Sequence, residues 1–406
     1  MKKIFLTTIA LLSIASASVF GMYGVNSGDW IGFLTHGNQF RARVQQLGFT
    51  LGNDTIKGTF GFFNNGRGAW GSMLSTNTAD AGQGLYYDFT PTISMGLAYT
   101  SSLISVGVGY NATIGPRLDR YNNKTSPKKV EAVVHTPVLV LNALDNAFRM
   151  AIPIQVVNLT DKFDDLKGSV TAVSLEAQFR YYSGLDFLPQ IRLYIKYGNY
   201  GAQLSQGGQK DKQTFAESFG FDFRLYFGSM VEEVAIQPIV KLVYNGALGK
   251  QHNVRNVTAL GALDDSATYM GNVANSFATV LANPNAVIDT PIPTYDGNTI
   301  SESWKKGAWD LTLAPALGIT ANSDVVSLYV EPSLGLKITQ LGSATDNKVK
   351  ELYGLAWGAY AEIYITPIKN LEWYFEADVN NNATSGSITP VKFAASTGIT
   401  WYLPAL

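Results

Sequence analysis

The feature that most constrains this chain is an alternation of apolar and polar residues with a period of two, which recurs from about Phe40 to the C-terminus. Successive side chains of a β-strand point to opposite faces, so each alternating segment is predicted to be a strand with one apolar and one polar face. The clearest segments are 371–379, 173–181, 191–197 and 219–227, with further ones at 326–338, 355–365 and 391–403.

The spacing of these segments predicts how the strands connect. The candidate strands lie near 40–51, 56–64, 91–100, 103–111, 130–143, 147–157, 170–182, 188–199, 214–229, 234–247, 309–321, 324–339, 353–367, 369–380 and 389–403. Short links alternate with long ones, and the long ones lie near 65–90, 112–129, 158–169, 200–213, 248–308, 340–352 and 381–388. In an up-and-down barrel, every second connection lies on the same rim, which is the pattern of outer-membrane barrels with short periplasmic turns and long extracellular loops. A soluble β-sandwich would also alternate, but its Greek-key connections give no reason for this rhythm.

The sequence therefore predicts an all-β fold, an antiparallel up-and-down transmembrane β-barrel of about 14 to 16 strands. Single-chain bacterial barrels have an even number of strands, whereas the candidates above number fifteen. The segment Trp30 to Thr35 is an additional candidate for the first strand, which would give sixteen and would place both termini in the periplasm. Fourteen strands remain an alternative if a marginal pair is loop.

The N-terminus predicts export. Two lysines follow the initiating methionine, Ile4 to Ile14 is apolar, and small residues follow; this is the pattern of a cleavable signal peptide. Cleavage after Ala17 and cleavage after Gly21 both satisfy the small-residue requirement, and Gly21 is the favoured site. We expect residues 1–21 to be the signal peptide and residues 22–406 to form a single outer-membrane β-barrel domain.

Composition narrows the environment of the mature chain. Charged residues make up 15% of the sequence and aromatic residues 12%, whereas soluble globular chains are typically about 25% charged. After the signal, no uninterrupted apolar stretch approaches the length of a spanning helix. The chain has no cysteine and a formal net charge of −1, so disulfides are excluded and nucleic acid is not an expected partner. Outer-membrane lipid is the expected surrounding of the barrel.

No constellation of residues indicates an enzyme. The three histidines, His36, His135 and His252, lie in no nucleophile or metal spacing, and the chain has no G-x-S-x-G, H-E-x-x-H or P-loop motif. Asp164-Asp165 and Asp264-Asp265 match no calcium loop. We therefore expect no catalytic residues, no cofactor and no metal site.

Charged residues on the polar faces are the candidate pore-lining set. Basic ones come from consecutive strands and acidic ones from later strands: Arg149, Arg180, Arg192, Lys196, Arg224 and Lys241, then Glu331, Glu362, Glu372, Glu376 and Asp378. These would form a basic and an acidic wall that face each other. Across an aqueous lumen, such walls would set up a transverse field that favours selected solutes. Alternatively, the charges pair with one another inside a plugged interior, with help from Glu176 and Asp222.

Aromatic residues on the apolar faces predict two interface bands. One band lies near the short-turn rim and consists of Phe148, Phe227, Trp373 and Trp401. The other lies near the long-loop rim and consists of Tyr197, Tyr244 and Trp309. Aromatic girdles of this kind lie at the two membrane–water interfaces of outer-membrane barrels.

The longest connection, 248–308, is predicted to be a loop insertion. Within it, Asp264 to Ala282 has helix-compatible spacing, and a proline-rich return follows. The insertion either folds into the lumen as a constriction or stands outside as a cap, and the cap is the favoured alternative.

The N-terminal part of the mature chain resembles a known family. The segments Asp29–Arg43, Gln46–Phe49 and Leu51–Gly61 look like the variable surface proteins of the spirochaete genus Brachyspira, formerly Serpulina, and the resemblance extends more loosely over the whole length. It implies an antigenically variable, surface-exposed outer-membrane protein that forms homo- or hetero-oligomers with related proteins, without known catalytic residues. Host antibodies or host surface ligands would be its external partners. The C-terminus departs from the usual final aromatic residue of such barrels, because Trp401 and Tyr402 are followed by Leu403–Leu406.

Overall fold

The structure, a computed structural model, describes residues 23, 27–43, 46–64, 91–119, 129–163, 166–206, 209–228, 230–231, 234–248, 254–259, 294–295, 298–299, 306–343, 349–381 and 391–404. A short helix, α1 (Ser27–Trp30), precedes the strands. The strands are β1 (Gln39–Arg43), β2 (Gln46–Gly52), β3 (Ile56–Asn64), β4 (Pro91–Tyr99), β5 (Ile104–Asp119), β6 (Lys129–Ala143), β7 (Phe148–Phe163), β8 (Leu166–Tyr182), β9 (Gln190–Gln206), β10 (Gln209–Tyr226), β11 (Met230–Val231), β12 (Val234–Ala247), β13 (Thr294–Tyr295), β14 (Asn298–Thr299), β15 (Trp309–Asn322), β16 (Val326–Gln340), β17 (Glu351–Ile368), β18 (Leu371–Asn380) and β19 (Lys392–Tyr402).

The main sheet closes on itself. Each long strand pairs antiparallel with its neighbours in chain order, and β1 pairs with both β2 and β19. Phe40 lies opposite Trp401 at the closing seam. The two-residue β11 pairs only with β12, and β13 pairs only with β14. The remaining strands make a 16-strand antiparallel closed barrel, as the sequence predicts. Among the residues that the structure describes, no helix is long and apolar enough to cross a membrane.

The sixteenth strand arises differently from the prediction. The segment 40–51, predicted as one strand, is a hairpin in which β1 pairs with β2 and Arg43 lies opposite Gln46. The prediction that Trp30 to Thr35 is a strand is wrong, because this segment continues from α1 as hydrogen-bonded turns. Gly32 N donates to Asp29 O at 3.1 Å, and His36 N donates to Gly32 O at 2.9 Å.

Two of the predicted long loops are also wrong. Strands β7 and β8 stay paired out to Phe163 and Leu166, and β9 and β10 stay paired out to Gln206 and Gln209. The segments 158–169 and 200–213 are therefore mostly strand. Backbone hydrogen bonds alone can continue a ladder beyond the lipid, where neither face needs to be apolar. Alternation of apolar residues marks only the part of each strand that crosses the membrane.

The two faces of the barrel wall differ in the way a lipid environment requires. Large apolar side chains are exposed on the outside, including Leu334 at 60%, Leu336 at 48% and Phe393 at 69%. Polar side chains are buried on the inside, for example Thr50, Thr113 and Gln178, each 0% exposed. An outer surface of this kind is stable against hydrocarbon, and a closed barrel leaves no unpaired strand edge there.

Candidate functional site: the barrel lumen

A row of five basic residues crosses the inner wall at one level. Arg149 lies directly opposite Arg180, Arg180 opposite Arg192, Arg192 opposite Arg224, and Arg224 opposite Lys241. We call these residues, on β7, β8, β9, β10 and β12, the basic row. Like charges in directly opposite cross-strand positions destabilise a sheet by roughly 0.2–1 kcal/mol per pair. The basic row therefore lowers the stability of the sheet, and a lumen that only had to be polar would not require it.

Three ion pairs accompany the row and its neighbours. The Arg224 guanidinium donates to both carboxylate oxygens of Asp222, from Nε at 2.9 Å and from Nη2 at 2.6 Å. Lys241 Nζ contacts Glu331 Oε1. Lys196, four residues after Arg192 on β9, has its Nζ 4.0 Å from Glu176 Oε2, and both side chains are 31% exposed, so this ion pair is weaker.

Tyrosine rings separate the guanidinium groups of the row. Arg149 stacks over Tyr182 with 4.7 Å between Cζ and the ring centroid, Arg192 over Tyr226 at 4.5 Å, and Arg224 over Tyr194 at 5.1 Å. Arginine over an aromatic face is a favourable cation–π contact, and it strengthens where water is excluded. The tyrosines thus support closely spaced positive charge on this wall.

The acidic wall occupies β16, β17 and β18. Glu362 and Glu376 lie directly opposite each other, and the Tyr360 hydroxyl contacts both, at 2.8 Å from Glu376 Oε1. Glu372 Oε2 accepts a hydrogen bond from the Tyr402 hydroxyl at 3.2 Å. Asp378 Oδ2 accepts one from Asn380 Nδ2 at 2.7 Å. Glu331, at the start of this wall, is the partner of Lys241.

The two walls meet at one edge and face each other across the lumen at the other. Only β15 separates β12 from β16 in the sheet order, and the contact between Lys241 and Glu331 bridges that strand. In the order of the sixteen strands, β7 with Arg149 and β18 with Glu372 lie eight strands apart, on opposite sides of the lumen, whereas Lys241 and Glu331 lie side by side. Circular closure distributes sixteen strands around the lumen, so walls that are consecutive in sequence become neighbours on one side.

Two further basic residues, which the sequence reasoning missed, lie beside the acidic wall. Arg41 and Arg43 project inward from β1, two strands from β18. Arg43 stacks over Tyr374 at 4.1 Å, and Arg41 Nε donates to Gln39 Oε1 at 3.0 Å. The signal was their alternation with Phe40 and Ala42, which places both on the polar face of a first strand.

The described residues before β1 lie inside the barrel. Tyr23 and residues 27–38 form what we call the luminal N-terminal segment; its apolar side chains Trp30, Ile31 and Phe33 are 0% exposed. They pack with the inward side chains Ala98, Val138, Val140 and Ala151. The ring of Trp30 contacts Tyr23 at 4.7 Å and Phe33 at 5.5 Å between ring centroids.

Glycines in the wall make room for Trp30. A Cβ atom at Gly109 would lie 2.2 Å from the Trp30 ring, and one at Gly96 would lie 3.0 Å from it. Gly107 similarly leaves room for Leu34, at 3.1 Å. Glycine weakens a strand interior unless another group approaches closely. Inward glycines at alternate positions of β4 and β5 are therefore the sequence signal that could have revealed a segment packed against this wall.

Hydrogen bonds tie the segment to the inner wall. Lys57 Nζ donates to Leu34 O at 2.8 Å and to His36 O at 2.9 Å. Arg149 Nη1 of the basic row donates to Thr35 Oγ1 at 3.3 Å. Asn38 Nδ2 donates to Gly52 O and to Pro404 O, at 2.9 and 2.8 Å, which joins the start of the barrel to its C-terminus.

Burial determines the protonation of two groups in this segment. His36 Nδ1 lies 3.0 Å from the Tyr23 hydroxyl. Desolvation lowers the pKa of His36 well below its usual value, and the nearby Arg41 and Lys57 add to the effect. Desolvation likewise raises the pKa of Tyr23 to about 12. The packed segment therefore contains a neutral imidazole and a neutral phenol at pH 7.

A second piece of chain enters the lumen from the insertion 248–308. Val254, Val257 and Ala259 are buried. Val257 N donates to Ser218 Oγ at 2.7 Å, and Ala259 N donates to Ser174 Oγ at 2.9 Å, and both serines face inward. Arg255 Nη1 lies 3.3 Å from Asp310 Oδ2. Residues 254–259 thus line the lumen instead of forming an external cap, because the inward hydroxyls satisfy their backbone N–H groups.

The predicted interface aromatics lie on the outer face or at its edges. Trp373 and Trp401 are exposed by 46% and 57%, and Phe148 begins β7 with its side chain on the face opposite Arg149. Phe227 directly follows β10. Near the other rim, the Tyr197 hydroxyl donates to Glu217 Oε1 at 2.6 Å, Tyr244 stacks on Phe221 at 5.8 Å, and Trp309 begins β15.

Several predictions fall outside the described residues: the signal peptide, Asp164-Asp165, Asp264-Asp265, the helix-compatible stretch Asp264 to Ala282, and His252. His135 lies on the outer face, with Nδ1 2.5 Å from the Tyr110 hydroxyl. Within the described part of the chain, no group of three or more histidine, aspartate or glutamate residues could hold a metal ion.

Comparisons with solved structures show a distant likeness to other barrels. The transport unit of the autotransporter AIDA-I from Escherichia coli matches over 77% of this chain and 84% of its own, at 10% identity and a TM-score of 0.29. The translocator domain of the autotransporter NalP from Neisseria meningitidis matches over 93% and 92%, at 11% identity and a TM-score of 0.31. A loop-deletion mutant of OmpT, an outer membrane protein of Vibrio cholerae, matches over 90% and 97%, at 8% identity and a TM-score of 0.32. At these scores the barrel assignment depends on the pairing of the strands themselves.

No curated protein matches the chain in sequence. The family model described as Serpulina hyodysenteriae variable surface protein matches residues 2–402, which is nearly the whole chain and confirms the resemblance seen at the N-terminus. With a closed barrel and an apolar outer face, the protein is an outer-membrane β-barrel. The chain belongs to the Serpulina hyodysenteriae variable surface protein family.

Proposed function

We propose that the principal role of this protein is surface display, in which a rigid barrel holds antigenic loops outside the cell and performs no catalysis. The observation that supports this most strongly is the unequal length of the connections on the two rims. On one rim the links are as short as 53–55, 144–147, 323–325 and 369–370. On the other, five links are longer, 65–90, 120–128, 248–308, 341–350 and 381–391, while the extended hairpins β7–β8 and β9–β10 have two-residue links there. Loops without core contacts tolerate sequence change, whereas the wall that carries them does not.

The filled lumen supports display over free diffusion. The luminal N-terminal segment packs against β4 to β7, residues 254–259 lie against β8, β10 and β15, and Lys241 pairs with Glu331. A barrel whose interior is packed by its own chain is a stable support for loops. Outer-membrane lipid would cover the apolar outer face, and association with copies of the chain or with related surface proteins would take place within that membrane.

Protease treatment of intact cells, followed by mapping of the cuts, tests the display role. We expect cuts within 65–90 and 248–308, with 144–147 and 369–370 protected until the outer membrane is permeabilised. A periplasmic protein assayed in the same cells serves as the control for envelope integrity. Cuts at the short links of intact cells would contradict the proposed orientation, and complete resistance of the long links would contradict display.

A pore for small solutes is the second candidate, and the basic row is the observation that favours it. Positive charge along the inner wall would favour anions over cations in a conducting lumen. The test is single-channel recording of the purified protein in planar bilayers. Anion-selective steps whose selectivity falls in Arg192→Glu, but not in Lys337→Gln, would support a pore. Silence would remove the pore and leave the display role unchanged.

A further inference from the structure

We infer that the basic row is a binding site for a small multivalent oxyanion of the phosphate type, held against the inner wall of β8, β9 and β10. This inference goes beyond surface display and does not require that the lumen conduct. It rests on the register, the burial, the local charge and an unused hydrogen-bond donor.

The register places guanidinium groups where one anion could contact several of them. Arg180, Arg192 and Arg224 occupy directly opposite positions on three adjacent strands. Facing residues on neighbouring strands have Cβ atoms about 5 Å apart, within the reach of one tetrahedral anion bound by two arginine forks. Guanidinium groups bind phosphate oxygens in paired hydrogen bonds, which a lysine ammonium cannot reproduce.

Burial strengthens the hydrogen bonds that these guanidinium groups can donate to an anion. Arg180 is 2% exposed and Arg192 is 3% exposed. Charge-assisted hydrogen bonds strengthen where water is excluded. Tyrosine rings stack on the guanidinium planes of Arg149, Arg192 and Arg224, so an anion would approach these groups at their N–H edges, as the Asp222 carboxylate does at Arg224.

The local charge balance is positive. From the described parts of β7, β8, β9, β10 and β12, six basic side chains face inward, the basic row and Lys196, against two acidic ones, Glu176 and Asp222. The difference is four positive charges. Glu331 compensates one of them from β16. An anion with more than one negative charge matches the three remaining positive charges better than chloride does.

An unused donor lies at the same place. Gln190 is 7% exposed, on β9 two residues before Arg192. Its Oε1 accepts a hydrogen bond from Arg192 Nη2 at 3.1 Å. Its buried Nε2 has no acceptor among the described residues. A buried donor without an acceptor is costly, and an anion bound to Arg192 would supply one.

Isothermal titration of pyrophosphate into the full-length mature protein, folded in non-ionic detergent at low salt, tests the inference. We expect one pyrophosphate per chain, with an affinity that falls as salt increases. Chloride at the same concentration should not compete. Arg180→Gln combined with Arg192→Gln should weaken binding at least about tenfold, because each charged donor contributes strongly to such a site.

Three variants distinguish a specific binding site from a general attraction of anions by the positive charge of the lumen. Lys337→Gln removes an inward, half-buried positive charge on β16, outside the row, and should leave the affinity within about twofold. Arg192→Lys keeps the charge but loses the fork, and should weaken binding. Gln190→Leu keeps every charge and removes the unused donor, and should weaken binding up to about tenfold.

Folding of each variant is checked by the shift in gel mobility on heating. If a variant does not fold, the thermal unfolding midpoint of the wild-type protein with and without pyrophosphate still tests the inference, since a ligand that binds only the folded state raises it. Wild-type protein that neither binds pyrophosphate nor gains thermal stability would overturn the site. Equal losses in Lys337→Gln and in the double variant would also overturn it. None of these outcomes alters which loops a protease cuts on intact cells.

Discussion

Replacing Trp30 with alanine should release the luminal N-terminal segment while leaving the barrel closed. Trp30 is 0% exposed and makes ring contacts with Tyr23 and Phe33. Removing a buried tryptophan typically costs about 3–5 kcal/mol. Since each 1.4 kcal/mol is a factor of ten in an equilibrium, detachment of the segment should become about two to three and a half orders of magnitude more frequent.

Hydrogen exchange of the backbone amides of Gly32, Phe33 and His36 measures this detachment, since each amide is hydrogen-bonded inside the segment. The exchange should accelerate by that factor in Trp30→Ala, with strand amides unchanged. Trp401→Ala, on the lipid-facing side, is the matched control and should leave the segment protected. Gly109→Val should reproduce the effect, because its Cβ would lie 2.2 Å from the Trp30 ring.

An exchange rate in Trp30→Ala within threefold of the wild-type rate would refute the packing of this segment against the glycine wall. Loss of amide protection throughout the strands would refute the claim that the segment detaches while the barrel stays closed. Either result would require a different position for the N-terminus.

Two further perturbations probe the lumen. The packed segment holds His36 neutral, so below about pH 6.5 the detached state binds one more proton than the packed state. Packing of the segment therefore weakens as the pH falls. Amide exchange in the segment at pH 5, corrected for intrinsic rates, should be up to about 30-fold faster. His36→Gln should abolish this dependence, His135→Gln should retain it, and a flat profile in the wild-type protein would contradict the buried neutral imidazole. Lys241→Met leaves Glu331 buried without its cation, which should lower unfolding stability by about 3–5 kcal/mol in a urea titration. The double variant Lys241→Met/Glu331→Leu should recover most of that loss, and equal losses in single and double variants would show that the pair is not buried as described.

The barrel could be predicted from sequence because its determinant is local. Alternation on each strand, such as Leu334 and Leu336 outside against Lys337 inside, follows from whether a side chain meets lipid or lumen. The inward direction of Arg180, Arg192 and Arg224 follows from the same period of two. Their alignment into one row does not, because register depends on the length of every turn between the strands.

The errors arose where non-local contacts decide the conformation. The apolar run around Trp30 has no period long enough to separate strand from helix, and its position depends on glycines of β4 and β5. In sequence, Val44 and Gln45 separate β1 from β2, and neither is the glycine, asparagine or proline that usually marks a hairpin. The path of residues 254–259 depends on Ser174 and Ser218, which are remote in sequence.

The most direct test of the barrel and its lipid covering is spin-label accessibility along β16 in liposomes. The chain has no cysteine, so single cysteines at Ser333, Leu334, Leu336 and Lys337 can be labelled one at a time. Collisions with dissolved oxygen, which partitions into lipid, should be frequent at Leu334 and Leu336 and rare at Ser333 and Lys337. Equal accessibility at all four positions, or high oxygen accessibility at Ser333 and Lys337 instead, would contradict a membrane-spanning barrel with this wall.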